Sequence, residues 1–587
     1  MGDRLLVRHF LGRFLEHDLI SSNADRREVV SVIGGTVMAI SLFLSVIITL
    51  DYQFSNFMPP GLVSVRSLND RFLLVSASML VMGLLAVAAW DALSLDARDH
   101  AVLGVLPISR TVIIRSKFVA VGVLAIGTDL AWNLAPTLLR SVAVPIKLSI
   151  GLKGALILTL AHGFVSLAAG AFGFLSVFAL REVFSAVLGQ DRFRSISPFL
   201  QGALVVVLTS ALFLLPGSYG NVAHKWLAPN GSSAKALPPL WFVGLHETLA
   251  GSVIDRLPRV RPARPLVERE RNATALYRGL WPVYRQLSRW ALMAMAAVTI
   301  VTILASAWNS RRLPTAVDHP RRTLTTSPVW RWMVEHVVAR SSLRQAGFWF
   351  TLQTVPRRVN HRAVMASALA VGFSLVVIAL RGHALEVETN IASIPLSILA
   401  AQSLLIVSVV TGFRRAAQVP ADLRASSTFS LAWAGHTQPY VAGVKRAALA
   451  ALVLPMLAVL FFWHAALLGV RVAVLHFGLG VALSILLIET LFLCYRRMPF
   501  VSVYVPDSEL KSRGVAYIAG MFYLSFALAW VERLALGATF GYWLFAGVIV
   551  GLTVVVSAFD QRWRRAPVVL DLDEESPLPT QRIDLSG

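Results

Sequence analysis

The sequence predicts an all-α fold, a polytopic bundle of about twelve transmembrane helices with a 6+6 pseudo-repeat and both termini in the cytoplasm. Three observations carry that expectation. Of the 587 residues, 56% are hydrophobic and 15% charged, with a mean hydropathy of +0.67, whereas soluble domains run near 45–50% apolar and about 25% charged. The apolar residues fall in uncharged runs of the roughly 20 residues a helix needs to cross a bilayer. Those runs recur with similar spacing in the two halves of the chain.

In chain order the predicted spans are 29–50, 72–90, 118–136, 154–180, 199–216 and 290–308, then 363–380, 391–413, 447–468, 472–494, 514–530 and 540–559. Only helices or closed barrels satisfy their backbone groups in hydrocarbon, and runs of this length are helices. Residues 1–28 precede the first half, 29–308, and read as an amphipathic interfacial helix. Leu6, Phe10 and Phe14 fall four apart, with Arg4, Arg8, His9 and Glu16 on the other face. The apolar run behind these arginines is too long for a cleaved signal. Within the first half, 217–289 is a long outer loop; its Pro238-Pro239, Arg-Pro pairs and small apolar clusters predict short helices on the outer membrane surface. A basic cytoplasmic linker, 309–362, follows. It ends in a second amphipathic stretch, with Phe348, Leu352 and Val355 flanked by Arg344, Arg357 and Arg358. The second six-helix half is 363–559. The tail 560–587, with Asp571, Asp573, Glu574 and Glu575 and few apolar residues, reads as disordered.

Charge sets the orientation. The chain carries 54 Lys and Arg against 32 Asp and Glu, a net +22. A cytoplasmic N-terminus puts 35 of those cations inside, 8 on the short outer segments and 11 in the loop 217–289. Loops longer than about 60 residues translocate largely regardless of charge, so the last group weighs little. The basic balance therefore reads as topology and contact with lipid headgroups, not nucleic acid. The single cysteine, Cys494, excludes an intrachain disulfide and a cysteine metal site.

Corresponding span starts lie 334, 319, 329, 318, 315 and 250 residues apart, the last shortened because only the first half holds the long loop. A six-plus-six organisation is a common transporter plan. Two local features recur with it: the amphipathic stretch before the first span of each half, and a charged loop between the second and third spans. That loop contains Asp96, Arg98 and Asp99 in one half and Asp422 and Arg424 in the other. Cations follow at the next helix start, Arg110, Arg115 and Lys117, or Lys445 and Arg446.

At these residues the chain resembles a type-2 ATP-binding cassette permease, the exporter-type transmembrane subunit, with two six-helix halves fused. The stretch Leu93-Ser-Leu-Asp-Ala-Arg-Asp-His-Ala-Val-Leu-Gly-Val-Leu-Pro-Ile-Ser-Arg110 is similar to the family's coupling region, and Leu237 to Glu247 resembles an extracellular element of such permeases. The resemblance implies separate ATPase subunits, two copies, docking on loops 91–116 and 414–446, with ATP bound by the partner and no cofactor on this chain. It also implies an exporter in a bacterial inner membrane. Asp96, Arg98 and Asp99 would present charge to the partner, while Val102, Leu103 and Val105 seat the loop and Pro107 ends its helix.

The chain itself holds no Gly-x-x-x-x-Gly-Lys-Ser/Thr run and no His-Glu-x-x-His, and no serine is paired by motif with a base. No catalytic centre or metal site is therefore expected. Ionisable residues inside spans are functional candidates by default: Asp129 and Asn133, one turn apart in the third span, and Glu489 in the tenth. They are expected either to be satisfied by a neighbouring helix or to line a polar path. In the latter case a proton-coupled secondary transporter of the same 6+6 plan is the competing reading. A non-transporting membrane scaffold is the third.

Overall fold

The computed structural model describes residues 2–15, 26–54, 60–90, 109–148, 151–218, 222, 227, 236–254, 275, 279–311, 328–380, 394–421, 437–493, 498–501, 514–538 and 540–564. All regular secondary structure among them is helical. The chain divides into two compact units, Met1–Phe193 with Val207–Val317, and Arg194–Val206 with Asp318–Gly587.

The first unit is built from α1 (Gly2–Leu15), α2 (Arg26–Phe54), α3 (Pro60–Ala88), α4 (Arg110–Leu148), α5 (Gly151–Leu188), most of α6 (Gln190–Ser218), α7 (Pro238–Ile254) and α8 (Trp281–Arg311). At its centre α3 packs on α5, α4 and α7; α5 also meets α4, α7 and α8, and α2 lies on α4. Water drives no apolar association inside a bilayer, so close packing and interhelical hydrogen bonds must hold such helices together. The α3–α5 contact depends on this: a Cβ on Gly173 would collide with the Met79 carbonyl. Outside the bundle core, α1 lies on the start of α4, with Leu6 and Phe10 buried against Ile113 and Ala120.

The second unit opens on a short helix, Pro328–Met333, running into a π turn at Val334–Val338. It continues with α9 (Ser342–Arg357), α10 (Val359–Ala379), α11 (Leu396–Gln418), α12 (Thr437–Ala448), α13 (Leu454–Leu468), α14 (Val470–Leu491), α15 (Gly514–Gly537) and α16 (Gly541–Arg564). Between α12 and α13 a π turn, Leu449–Val453, precedes Pro455. Proline removes one backbone donor, and a local widening of the helix absorbs the mismatch without ending it. Here α11 is the central helix, packed on α10, α15 and α14, while α14 meets α13 and α16. α9 lies along α12 with Phe348 and Val355 buried.

Among the described residues, eleven helices are long and apolar enough to cross a membrane, as expected of a multi-pass membrane protein. They overlap eleven of the twelve predicted spans. The remaining one, 29–50, lies within α2, whose described apolar stretch, Val37–Leu50, is shorter than a span. Their surfaces invert those of a soluble protein. Phe462, Tyr523, Trp543 and Val555 are exposed, whereas Arg71, His162, Glu247, His464 and His476 are buried. Large contiguous apolar faces are rare on soluble monomers and are the expected lipid-facing surface here.

The boundaries differ instructively from the expected ones. The second span was expected to begin at Phe72 and the third to end at Pro136, yet α3 starts at Pro60 and α4 continues to Leu148. Asp70, Arg71 and Arg140 interrupt the apolar runs but not the helices, because each is buried against polar partners. The outer loop also differs. Its α7 does not lie free on a surface: Leu240, Phe242, Val243 and Glu247 are buried, and the helix packs on α3, α5 and α8.

Candidate functional site

The expected coupling residues Asp96, Arg98, Asp99, Asp422 and Arg424 lie outside the described residues, as does Cys494. Arg110 opens α4. The other candidates are Asp129 and Asn133 on α4 and Glu489 near the end of α14, two residues from its last position, Leu491.

Asp129 and Asn133 form a compact polar knot among α3, α4 and α5. The Asn133 amide donates to Asp129 Oδ1 at 2.8 Å and to Ser78 Oγ at 2.9 Å. Ser78 in turn donates to the Ser166 carbonyl at 3.1 Å. A Cβ on Gly170 would run into the Asp129 carboxylate, so α5 approaches it closely. Asp129 thus takes its short hydrogen bond from Asn133 of its own helix and a longer one, 3.4 Å, from the Ser78 hydroxyl of α3.

A larger polar cluster in the same unit involves residues that the apolar runs hid. Arg71 of α3 forms an ion pair with Glu247 of α7, the two side chains being 2% and 0% exposed. Arg71 Nη1 lies 3.2 Å from His246 Nδ1, and its Nη2 donates to Ser67 Oγ at 2.7 Å. Arg140 of α4 donates to the same Ser67 Oγ at 2.8 Å. Tyr52, just beyond the apolar stretch of α2, donates to Asp70. Burial, reinforced by the Asp70 carboxylate, pushes the Tyr52 phenol well above its usual range and keeps it a donor. Burial, and then the positive charge of Arg71, hold the His246 imidazole well below its usual range, so it is neutral. Seven residues on four helices thereby pin α2, α3, α4 and α7 together.

The second unit has two clusters of its own. At one end, Lys445 of α12 meets Glu489 of α14 at 2.7 Å and Asp560 of α16 at 3.0 Å. At the other, His476 of α14 lies 2.5 Å from the Glu532 carboxylate of α15. The His464 ring of α13 sits 4.5 Å from that of His476, and the Gln402 amide donates to the His476 carbonyl at 2.8 Å. In the first unit, Glu182 of α5 accepts from Asn309 of α8 at 2.7 Å and pairs with Arg181.

These arrangements bind helices and fix buried charge. Among the described residues, no three His, Cys, Asp or Glu side chains are grouped so as to hold a metal ion. Sequence reasoning missed Arg71, Arg140 and Glu247 because flanking cations and a loop glutamate normally sit in water. A usable signal was present: Asp70-Arg71 falls immediately before an apolar run, and His246-Glu247 stands inside the apolar segment 240–250. Charges embedded in apolar sequence are expensive unless paired, so each predicts a partner. Comparison with protein-family models, with curated proteins and with solved structures returned no match.

Proposed function

We propose that the protein is the permease subunit of an ATP-binding cassette transporter, an exporter of a bacterial inner membrane, driven by separate ATPase subunits docking on loops 91–116 and 414–446. One observation carries the reading. In each unit an amphipathic helix is clamped to the start of the helix that leaves the proposed docking loop: α1 on α4, and α9 on α12. On α12 the clamp is tight, since a Cβ on Gly443 would strike the Arg344 carbonyl and one on Gly347 the Tyr440 carbonyl. A push on either loop would pass directly into a stiff, two-helix unit. The same helices are tied onward by buried polar contacts, Lys445 to Glu489 and Asp560 in the second unit.

The 6+6 plan belongs to this reading. The second spanning helix is the most enclosed in each unit, α3 and α11 burying 72% and 83% of their apolar stretch. Pairings of second with fourth, third with fourth, and fourth with sixth spanning helices recur in both. ATP stays on the partner, consistent with the absence of a phosphate-cradling loop from the sequence. A proton-coupled transporter is the second reading, favoured by one feature, the buried His476–Glu532 pair beside His464.

The deciding experiment is purification of the tagged chain in gentle detergent from its native host, with mass spectrometry of what accompanies it. A stoichiometric soluble ATPase, lost on Asp96→Lys with Asp422→Lys, is the expected result. Paired replacement of Asp96 and Arg98 should uncouple ATP hydrolysis from transport while leaving membrane insertion intact. A clean preparation lacking an ATPase that the host makes would overturn the reading in favour of proton coupling.

A further inference from the structure

The second unit carries an apolar surface outside its spanning helices. The short helix Pro328–Met333 and the π turn Val334–Val338 leave Val329, Trp332 and Val337 exposed at 74%, 59% and 58%. The depth of this segment is fixed by what lies beneath it. Val334 and Ala339 are buried in one cluster with Phe348 of α9 and Ala447 of α12, and Ala450 packs against that cluster. Ala447 opens the apolar run 447–468, which is long enough to cross the hydrocarbon. Arg446, one residue before it, donates to the Val338 carbonyl. The segment is therefore fastened where the helix enters the bilayer. That is the level at which amphipathic segments rest among the headgroups and at which tryptophan is enriched.

Three arginines gather at the same level. Arg446 stands in the electrostatic field of Arg344 and Arg340. Arg340 uses its Nε on the His336 carbonyl at 3.2 Å, and the Nε of Arg344 is buried without a partner. The carboxylates nearby are committed to other cations. Glu335 pairs with Arg331 at 2.9 Å, and Glu489 and Asp560 both pair with Lys445. Glu489 also attracts Arg446 from a distance, but no carboxylate among the described residues pairs with Arg340, Arg344 or Arg446. Like charges held together beside hydrocarbon repel more than they would in water, because screening there is weaker. A phosphodiester relieves this repulsion and accepts from a guanidinium with good geometry. A phospholipid also brings acyl chains to the exposed apolar side chains on the same segment.

We propose that residues 328–344 together with Arg446 form a seat for an anionic phospholipid. Val329, Trp332 and Val337 enter the leaflet beside the start of the apolar run, and Arg340, Arg344 and Arg446 take the headgroup phosphate. The seat is independent of what drives transport.

The test uses the full chain in lipid nanodiscs containing a photoactivatable phosphatidylglycerol or, in parallel, a phosphatidylcholine with the same acyl chains and reactive group. After irradiation the labelled peptides are mapped by mass spectrometry. Peptides covering 328–344 are expected to be labelled by both lipids, and more by phosphatidylglycerol, with roughly a fivefold loss of that excess for each arginine removed. Arg340→Gln with Arg344→Gln should lower phosphatidylglycerol labelling there while phosphatidylcholine labelling persists, which shows that the segment still folds onto the membrane. The control Arg285→Gln with Arg289→Gln, on α8, should leave both signals unchanged. Equal labelling of 328–344 by the two lipids would overturn the headgroup site, as would an equal loss in the α8 control. Absence of label from both lipids would overturn the membrane seat and leave the apolar surface to a protein partner. Displacement of phosphatidylglycerol by inorganic phosphate would overturn the lipid in favour of a free anion.

Discussion

At the scale of the residue, the protein's distinguishing property is how it places charge. Arg71 and Glu247 are both essentially without solvent contact, and the pair is surrounded by hydrogen-bonding groups, Ser67 and His246 among them. In such a setting neither member can be removed without stranding the other. Arg71→Met or Glu247→Leu alone is expected to destabilise the first unit by about 3–5 kcal/mol, while the double replacement lies closer to the wild type. Thermal unfolding of the three variants in one detergent tests this. If the double variant is as impaired as the two singles combined, the pair is not coupled. Asp129 was visible to sequence reading because it stands alone in an apolar run. Arg71 and Arg140 were not, because a cation at the edge of an apolar run has the same appearance whether it snorkels to the interface or turns inward.

At the scale of the element, lengths are decided by tertiary satisfaction. Apolar patterning located the spanning helices well, and their hydropathy is high enough that little else could form from them. It truncated α3 and α4, whose ends carry the ionised residues of the buried cluster. The amphipathic helices were legible from their spacing, but where they dock was not. That docking rests on small residues. Gly347 and Gly443 bring α9 and α12 into reciprocal backbone contact, an approach typical of membrane helices. Gly443→Val is expected to separate them, raising amide hydrogen exchange across 342–357 while leaving exchange in α14 unchanged. Unaltered protection of α9 in that variant would show that its seat depends on Phe348 and Val355 rather than on the close approach.

At the scale of the whole molecule, the pattern is an inverted one: apolar side chains cover the outside of the helices and charged groups occupy the inside. The excess of Lys and Arg in the segments assigned to the cytoplasm predicts how the chain sits in its membrane. Single cysteines introduced at Arg13, Arg321 and Gln581, in a Cys494→Ser background, should react with a membrane-impermeant reagent only after the cell is opened. A cysteine at Arg261 should react in intact cells. Labelling of the first three from outside would invert the topology, and with it the side on which any ATPase could dock.

By itself the sequence determined that the chain is helical and that its helices are membrane-spanning in length and polarity, because hydrocarbon admits so few ways to satisfy a backbone. It also pointed to the amphipathic stretches that form the helices Gly2–Leu15 and Ser342–Arg357. What only the tertiary structure decided is which charges are buried and what each one faces. Glu489 meets Lys445, Glu247 meets Arg71 and Asp129 meets Asn133, although only the last two are near neighbours in sequence. The physical reason is range. A backbone's need for internal hydrogen bonds is met within four residues along the chain, whereas a buried charge is satisfied by whatever helix packing brings to it, here across separations of up to 176 residues.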